Sequence, residues 1–283
     1  MNQLLNAQRL VQVSQFHPKL QNIWYLVAAV TFSVCNQPQE IPKIYHYVML
    51  LNNNNSDHHD PSTLANRTIE TLQNDRMNLR KVIDEKFPQP TQLQRQLTEK
   101  FREALLKTGP LAGLPKAINV LSNLRDVTPT ALLPSSQEID PFKAERGEGP
   151  LYSDSVMEIH AADSNKSKER DLKGIEHWNH LYTKVSKRIV NNINSACPDL
   201  WYYIMEHVYG PLLSCDDILS KQETSFIVIA SLVPQDVNPQ LRGHLKGALN
   251  IGCDPNTIEA VRALAVLISQ WCGVSWKGEI VKL

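Results

Sequence analysis

Residues 238–272 constrain the fold of this chain more than any other stretch. Asn238-Pro239 and Asp254-Pro255 each set a capping-type side chain directly before a proline. Proline suits the first helical turn because its φ is already helical and no amide hydrogen is left without a partner. Gly252 stands between the two prolines, where a left-handed residue can end a helix. The pattern predicts helices over 239–251 and 255–272 joined by a tight turn. On the first of these Leu241, Leu245, Ala248 and Leu249 share a stripe, and His244 lies at its edge. Its imidazole is therefore expected to face a core or a cavity wall.

Helical patterning extends over most of the remaining chain. Residues 1–50 contain Trp24, Val27, Ala28, Val30, Phe32 and Val34, an apolar segment with no polar face, as an interior helix requires. Residues 52–62 are polar and read as a loop, followed by helical pattern over 63–87 and on to 107, with a pause at Pro88-Gln89-Pro90. Gly109-Pro110 breaks the pattern, and a short helix follows over 115–124. Residues 127–149 hold Pro129, Pro134, Pro141, Gly147 and Gly149 and read as a linker. Further helices are expected over 171–193, 199–209 and 221–233. The division is thus an N-terminal helical half (1–126), a linker (127–149) and a C-terminal helical unit (150–283). Residues 24–39 can also be laid on 225–240 at a constant offset, which aligns Ala29, Pro38 and Gln39 with Ala230, Pro239 and Gln240 and suggests an internal echo.

Charge narrows the ligand class. Lys+Arg 29 against Asp+Glu 29 gives a net charge of +0, so no overall field gathers phosphates, and no nucleic-acid partner is expected. The longest apolar run, 23–35, is too short for a membrane span, which takes about 20 residues. A secretory leader is not expected either. The five cysteines include no C-x-x-C pair, which points away from a disulfide framework. His58-His59-Asp60 has the chemistry of metal ligands but no partner at helical or strand spacing, so no metal is assigned. The chain ends Val281-Lys282-Leu283, similar to the S-K-L peroxisomal address.

Residues 239–264, PQLRGHLKGALNIGCDPNTIEAVRAL, resemble the signature of carboxymuconolactone decarboxylase-like proteins. That signature places a polar or acidic residue four before a histidine, then a small-Leu pair, and a glycine eight after the histidine. Gln240, His244, Ala248-Leu249 and Gly252 match it in register. Glu145-Arg146-Gly147, Glu206-His207-Val208-Tyr209-Gly210 and FIVIASL look like earlier landmarks of the same unit, and residues 103–117 resemble the family's closing segment. The arrangement is similar to that of fungal peroxisomal members.

The resemblance implies an all-α, alkylhydroperoxidase D-like helical fold with two related helical units, the N-terminal one degenerate. It also implies a homo-oligomer, a small-molecule substrate without a cofactor, and the peroxisomal matrix, with the cytoplasm as the alternative. The import receptor would read Val281, Lys282 and Leu283. His244 is the expected catalytic residue, with Gln240, Glu206, His207 and Tyr209 as substrate-binding candidates. The family's thiol peroxidases carry cysteines seven and four residues before the histidine; here those positions are Val237 and Gln240, so that chemistry is not expected. The decarboxylase branch carries glutamate where Gln240 stands and an arginine near the Tyr-Gly landmark that is missing here. Two functions follow: a decarboxylase-like enzyme using His244 as acid or base, or a non-catalytic oligomeric binding or structural protein.

Overall fold

The structure is a computed structural model that describes residues 4–53, 60–73, 76–134, 139–152, 155 and 164–283. Among these residues the regular structure is entirely helical. Helices α1 (Ala7–Ser14), α2 (Trp24–Val34) and α3 (Ile41–Leu51) open the chain, followed by α4 (Pro61–Leu72), α5 (Arg76–Lys86) and α6 (Gln92–Lys107). A short α7 (Gly109–Ala112), α8 (Leu114–Val127) and α9 (Pro141–Glu145) lead to α10 (Ser164–Tyr182). The C-terminal part holds α11 (Ser186–Ala196), α12 (Pro198–Tyr203), a π-helix over Ile204–Leu213, α13 (Lys221–Leu232), α14 (Asn238–Asn250) and α15 (Pro255–Trp271). No helix among the described residues is long and apolar enough to cross a membrane. His58 and His59 lie outside the described residues.

The core forms around α2. Every residue of Trp24–Val34 is buried, as a helix apolar on all sides requires. It packs against α3 and α6, and also against α13 and α15. Helix α13 is of the same kind: Thr224 through Leu232 are all buried. Each large side chain sequestered here contributes about 1.5–3 kcal/mol. Two hydroxyls within these helices donate back to the carbonyl four residues earlier, Thr31 to Val27 at 2.7 Å and Ser231 to Ile227 at 2.9 Å, whereas the Ser33 hydroxyl of α2 is buried without a partner among the described residues.

Helix ends follow the sequence rules at some positions and depart from them at Asn238 and Gly109-Pro110. The Asp254 carboxylate accepts the Thr257 N–H at 3.0 Å, and Gly252 sits at φ +89°, as the proline-started pair demands. Asn238 does not cap α14. The residue before the helix is Val237, which offers no side-chain cap, and Asn238 is instead its first residue. Its amide donates to the Glu279 carbonyl at 3.1 Å and accepts from the Val281 N–H at 3.0 Å, lacing the C-terminal tail across the start of α14. Leu249, placed by pattern in the buried stripe, is 39% exposed. Gly109-Pro110 does not stop the chain; it begins α7, and the break falls at Gly113, φ +103°.

Two buried cations join distant segments. Lys43 pairs with Glu40 at 2.8 Å and donates to the Leu5 carbonyl at 3.1 Å, while Glu40 accepts the Leu5 N–H at 3.0 Å. Lys107, fully buried, pairs with Glu103 at 3.3 Å and donates to the Cys215 carbonyl at 2.7 Å and to Thr224 at 3.0 Å. The helices α2 and α13 are followed by left-handed non-glycine residues, Asn36 and Asp236, and then by prolines Pro38 and Pro239.

Helix α10 and the π-helix cross in close contact. A Cβ added at Gly174 would lie 2.8 Å from the Gly210 Cα and 2.9 Å from its nitrogen, and backbone cannot yield as a side chain can. Gly174→Ala is expected to cost about 1–3 kcal/mol of stability, measured by denaturant or thermal unfolding. An unchanged midpoint would contradict the crossing.

Candidate functional site

The π-helix has a local cause. Pro211 has no N–H and its ring would collide with the carbonyl four residues earlier in a regular α-helix. Widening the turn relieves the collision, and the Ser214 N–H reaches the Tyr209 carbonyl at 2.9 Å, five residues back. Tyr209 rides on this widened turn. Helix α10 crosses it at Gly174–Gly210 and also packs on α14, where Gly247 lets Leu181 approach: a Cβ there would stand 3.0 Å from Leu181 Cδ2. The Asn250 amide donates to the Leu181 carbonyl at 2.7 Å and holds the same crossing.

These crossings set Tyr182 between two partners. Its hydroxyl lies 3.3 Å from His244 Nε2 and 3.3 Å from the Tyr209 hydroxyl. Trp178, one turn earlier, packs on Tyr182, Tyr209 and Trp201 with ring centroids 4.3, 4.8 and 5.0 Å apart. The result is an aromatic wall carrying a hydroxyl–hydroxyl–imidazole chain. His244 itself is half-buried.

Burial sets the protonation states. It lowers His244 to about 4, so the imidazole is neutral near pH 7. It raises both phenols above their ordinary range, Tyr209 most, so they remain hydrogen-bond donors. His177, buried on α10 with its Nδ1 unpartnered, is lowered to about 4 by burial and by nearby Lys221 and Lys107. Its ring centroid lies 6.2 Å from that of Tyr209.

Of the residues singled out by sequence, His244 and Tyr209 meet through Tyr182. Gln240 is exposed, one turn before His244 on α14. Glu206 is half-buried, and His207 is exposed and packs edge-on against Tyr202, with Tyr203 beside it. Among the described residues, His244 hydrogen-bonds to Tyr182, not to any of these three. Sequence reasoning missed Trp178 and Tyr182. Their signal was present: Gly174, Trp178 and Tyr182 recur every four residues, a small-aromatic-aromatic stripe along one helix face.

This helical scaffold, with its histidine on a proline-started and glycine-ended helix, defines a protein of carboxymuconolactone decarboxylase type. The model of the carboxymuconolactone decarboxylase family matches residues 199–277, which include the π-helix, α13, α14 and α15. Over its whole length the chain is 61% identical to Peroxisomal protein 2 of Saccharomyces cerevisiae, all of which is covered. It is 32% identical to Peroxisomal protein 2 of Schizosaccharomyces pombe, over 92% of this chain and 91% of that one. The chain belongs to the carboxymuconolactone decarboxylase family, in the peroxisomal branch that these two relatives represent. The peroxisome is its compartment. No solved structure matches it.

Three histidines whose pKa burial lowers make stability pH-dependent. His46, lowered to about 3 by burial and by Lys86, joins His177 and His244, both at about 4. The unfolded chain binds protons at these rings below about pH 6.5 while the folded chain does not. Stability therefore rises with pH across this window and is lost as pH falls from about 6.5 toward 4. Melting temperatures measured between pH 7 and 4.5 are expected to drop on acidification, with a shallower slope in His46→Gln. A flat profile would count against neutral buried rings.

Proposed function

We propose that the protein acts on a small organic acid, lactone or related metabolite in the peroxisomal matrix, with His244 transferring the proton. The observation that carries this reading is a neutral, half-buried imidazole hydrogen-bonded to a hydroxyl chain. If Tyr182 donates to Nε2, the ring proton sits on Nδ1; if Nε2 carries the proton, Tyr182 accepts it. Both arrangements are neutral, and in the second, with Nε2–H donating to Tyr182, Nδ1 is free to take a proton while the Tyr182 and Tyr209 hydroxyls keep theirs. A base of this kind removes a proton from bound substrate and returns it to product. Gln240, on the same helix, orients substrate through its amide, and Glu206, His207 and Tyr209 complete the substrate-binding set in this reading.

A second reading is a non-catalytic oligomeric binding protein. It is favoured by the absence, among the described residues, of a carboxylate hydrogen-bonded to His244. It is also favoured by the apolar side chains that α10 and α12 expose, namely Leu172, Ile175, Leu200, Tyr202 and Tyr203. Such a face suits a homo-oligomer. In either reading the chain consists of two related helical units. The N-terminal unit lacks a matching base, because Lys43, aligned with His244 in the internal echo, is consumed by Glu40 and the Leu5 carbonyl.

His244→Gln separates the two. In cells, the variant is expected to accumulate one class of small acid or lactone, and any purified turnover should fall by about 10²–10⁴-fold. A metabolite profile identical to wild type, with the variant folded and abundant, would remove the catalytic reading. The address is tested separately. Val281, Lys282 and Leu283 are proposed to be read by the import receptor, and deletion of the three is expected to leave the protein in the cytosol. Continued organelle import would refute that.

A further inference from the structure

Cys35 and Cys272 are far apart in sequence and together in space. Each is the residue that closes a helix, Cys35 at the end of α2 and Cys272 at the end of α15. Those two helices pack on each other in the core from a shared starting end, where Lys19 ahead of α2 pairs with Asp254 at the head of α15 at 3.8 Å, so their closing residues Cys35 and Cys272 come side by side. Both residues are half-buried, so small reagents have access. The surroundings are asymmetric. Lys116, whose ammonium donates to the Val34 carbonyl at 2.7 Å, stands beside Cys35. Arg9, stacked 4.6 Å over the Trp271 ring, is among the charges around Cys272.

We propose that Cys35 and Cys272 form a redox-responsive dithiol that a hydroperoxide converts to a disulfide, stapling α2 to α15. The site is distinct from a C-x-x-C peroxidase centre and does not involve His244. The neighbouring Cys272 thiol and Lys116 lower the pKa of Cys35, whereas the same contact and burial raise Cys272. Cys35 is therefore the nucleophile. Its thiolate attacks the distal oxygen of the hydroperoxide, the O–O bond breaks, and the departing alkoxide takes the proton that Cys35 lost. Cys272 sulfur then attacks the Cys35 sulfenic acid, the S–O bond breaks, and hydroxide leaves with the Cys272 proton as water. Two thiols and one hydroperoxide thus give one disulfide, one alcohol and one water. The other thiols lack this arrangement: Cys253 is buried and raised to about 11, Cys215 is raised by burial, and Cys197 is exposed without a thiol neighbour among the described residues.

The test uses the full chain treated with one equivalent of hydrogen peroxide, followed by non-reducing peptide mapping. The expected result is loss of two of the five thiols, a Cys35–Cys272 linked peptide, and a melting temperature raised by roughly 5 °C and restored by dithiothreitol. In Cys272→Ser, Cys35 should stop at sulfenic acid and be labelled by dimedone. Oxidation that begins at Cys197, or five thiols that survive treatment, would overturn the proposal. The wild-type map decides the matter even if the variant does not fold.

Discussion

A helix with no polar face must be covered on every side, and α2 is such a helix. Its eleven buried residues need neighbours all round, which the chain supplies from both ends: α3 and α6 from the first half, α13 and α15 from the second. The hydrophobic effect carries no direction of its own. The shape of α2, flanked by the similarly buried α13, converts it into a specific arrangement. With α13 and α15 held against α2, the intervening α14 lies where α10 can close over it, and the site follows from that closure.

The site is built by contact between backbones. Gly174 against Gly210 and Gly247 against Leu181 bring three elements nearer than side chains permit, which is why the Tyr182 hydroxyl reaches both Tyr209 and His244. The same tight packing strips water from the rings and keeps the imidazole neutral and the phenols protonated. Geometry and protonation state thus share one origin. A polar chain running through an aromatic wall is stable only when its members satisfy one another. The unpartnered His177 Nδ1 and Trp178 Nε1 mark where this wall departs from that rule.

Much of this was legible in the sequence, because local signals act locally. Asp254 and Gly252 behave as helix punctuation must, and the all-round apolar character of residues 24–34 forces burial whatever the partners. Asn238 was misread because its amide can serve either the helix start or a distant strand of backbone, and the tail near Glu279 and Val281 competes successfully for it. The sequence shows the stripe that holds Tyr182 but not its partner, for a related reason. Tyr182 lies 62 residues before His244 in the chain, and no periodicity within one helix reveals which second helix will cross it. The absence of a C-x-x-C pair hides Cys35 on the same grounds, since its thiol neighbour is supplied by the far end of α15.

The buried ammonium of Lys107 has a consequence for how this architecture can be divided. Its stem belongs to α6, yet two of its oxygen partners, the Cys215 carbonyl and the Thr224 hydroxyl, belong to the region recognised by the family model. Excising residues 199–277 as a free-standing module would remove the cation that ties those acceptors to α6 and would uncover the flank of α13 that α2 shields. The segment that carries the family signature is therefore not a transplantable cassette. Its foldedness is borrowed from sequence that the signature does not include.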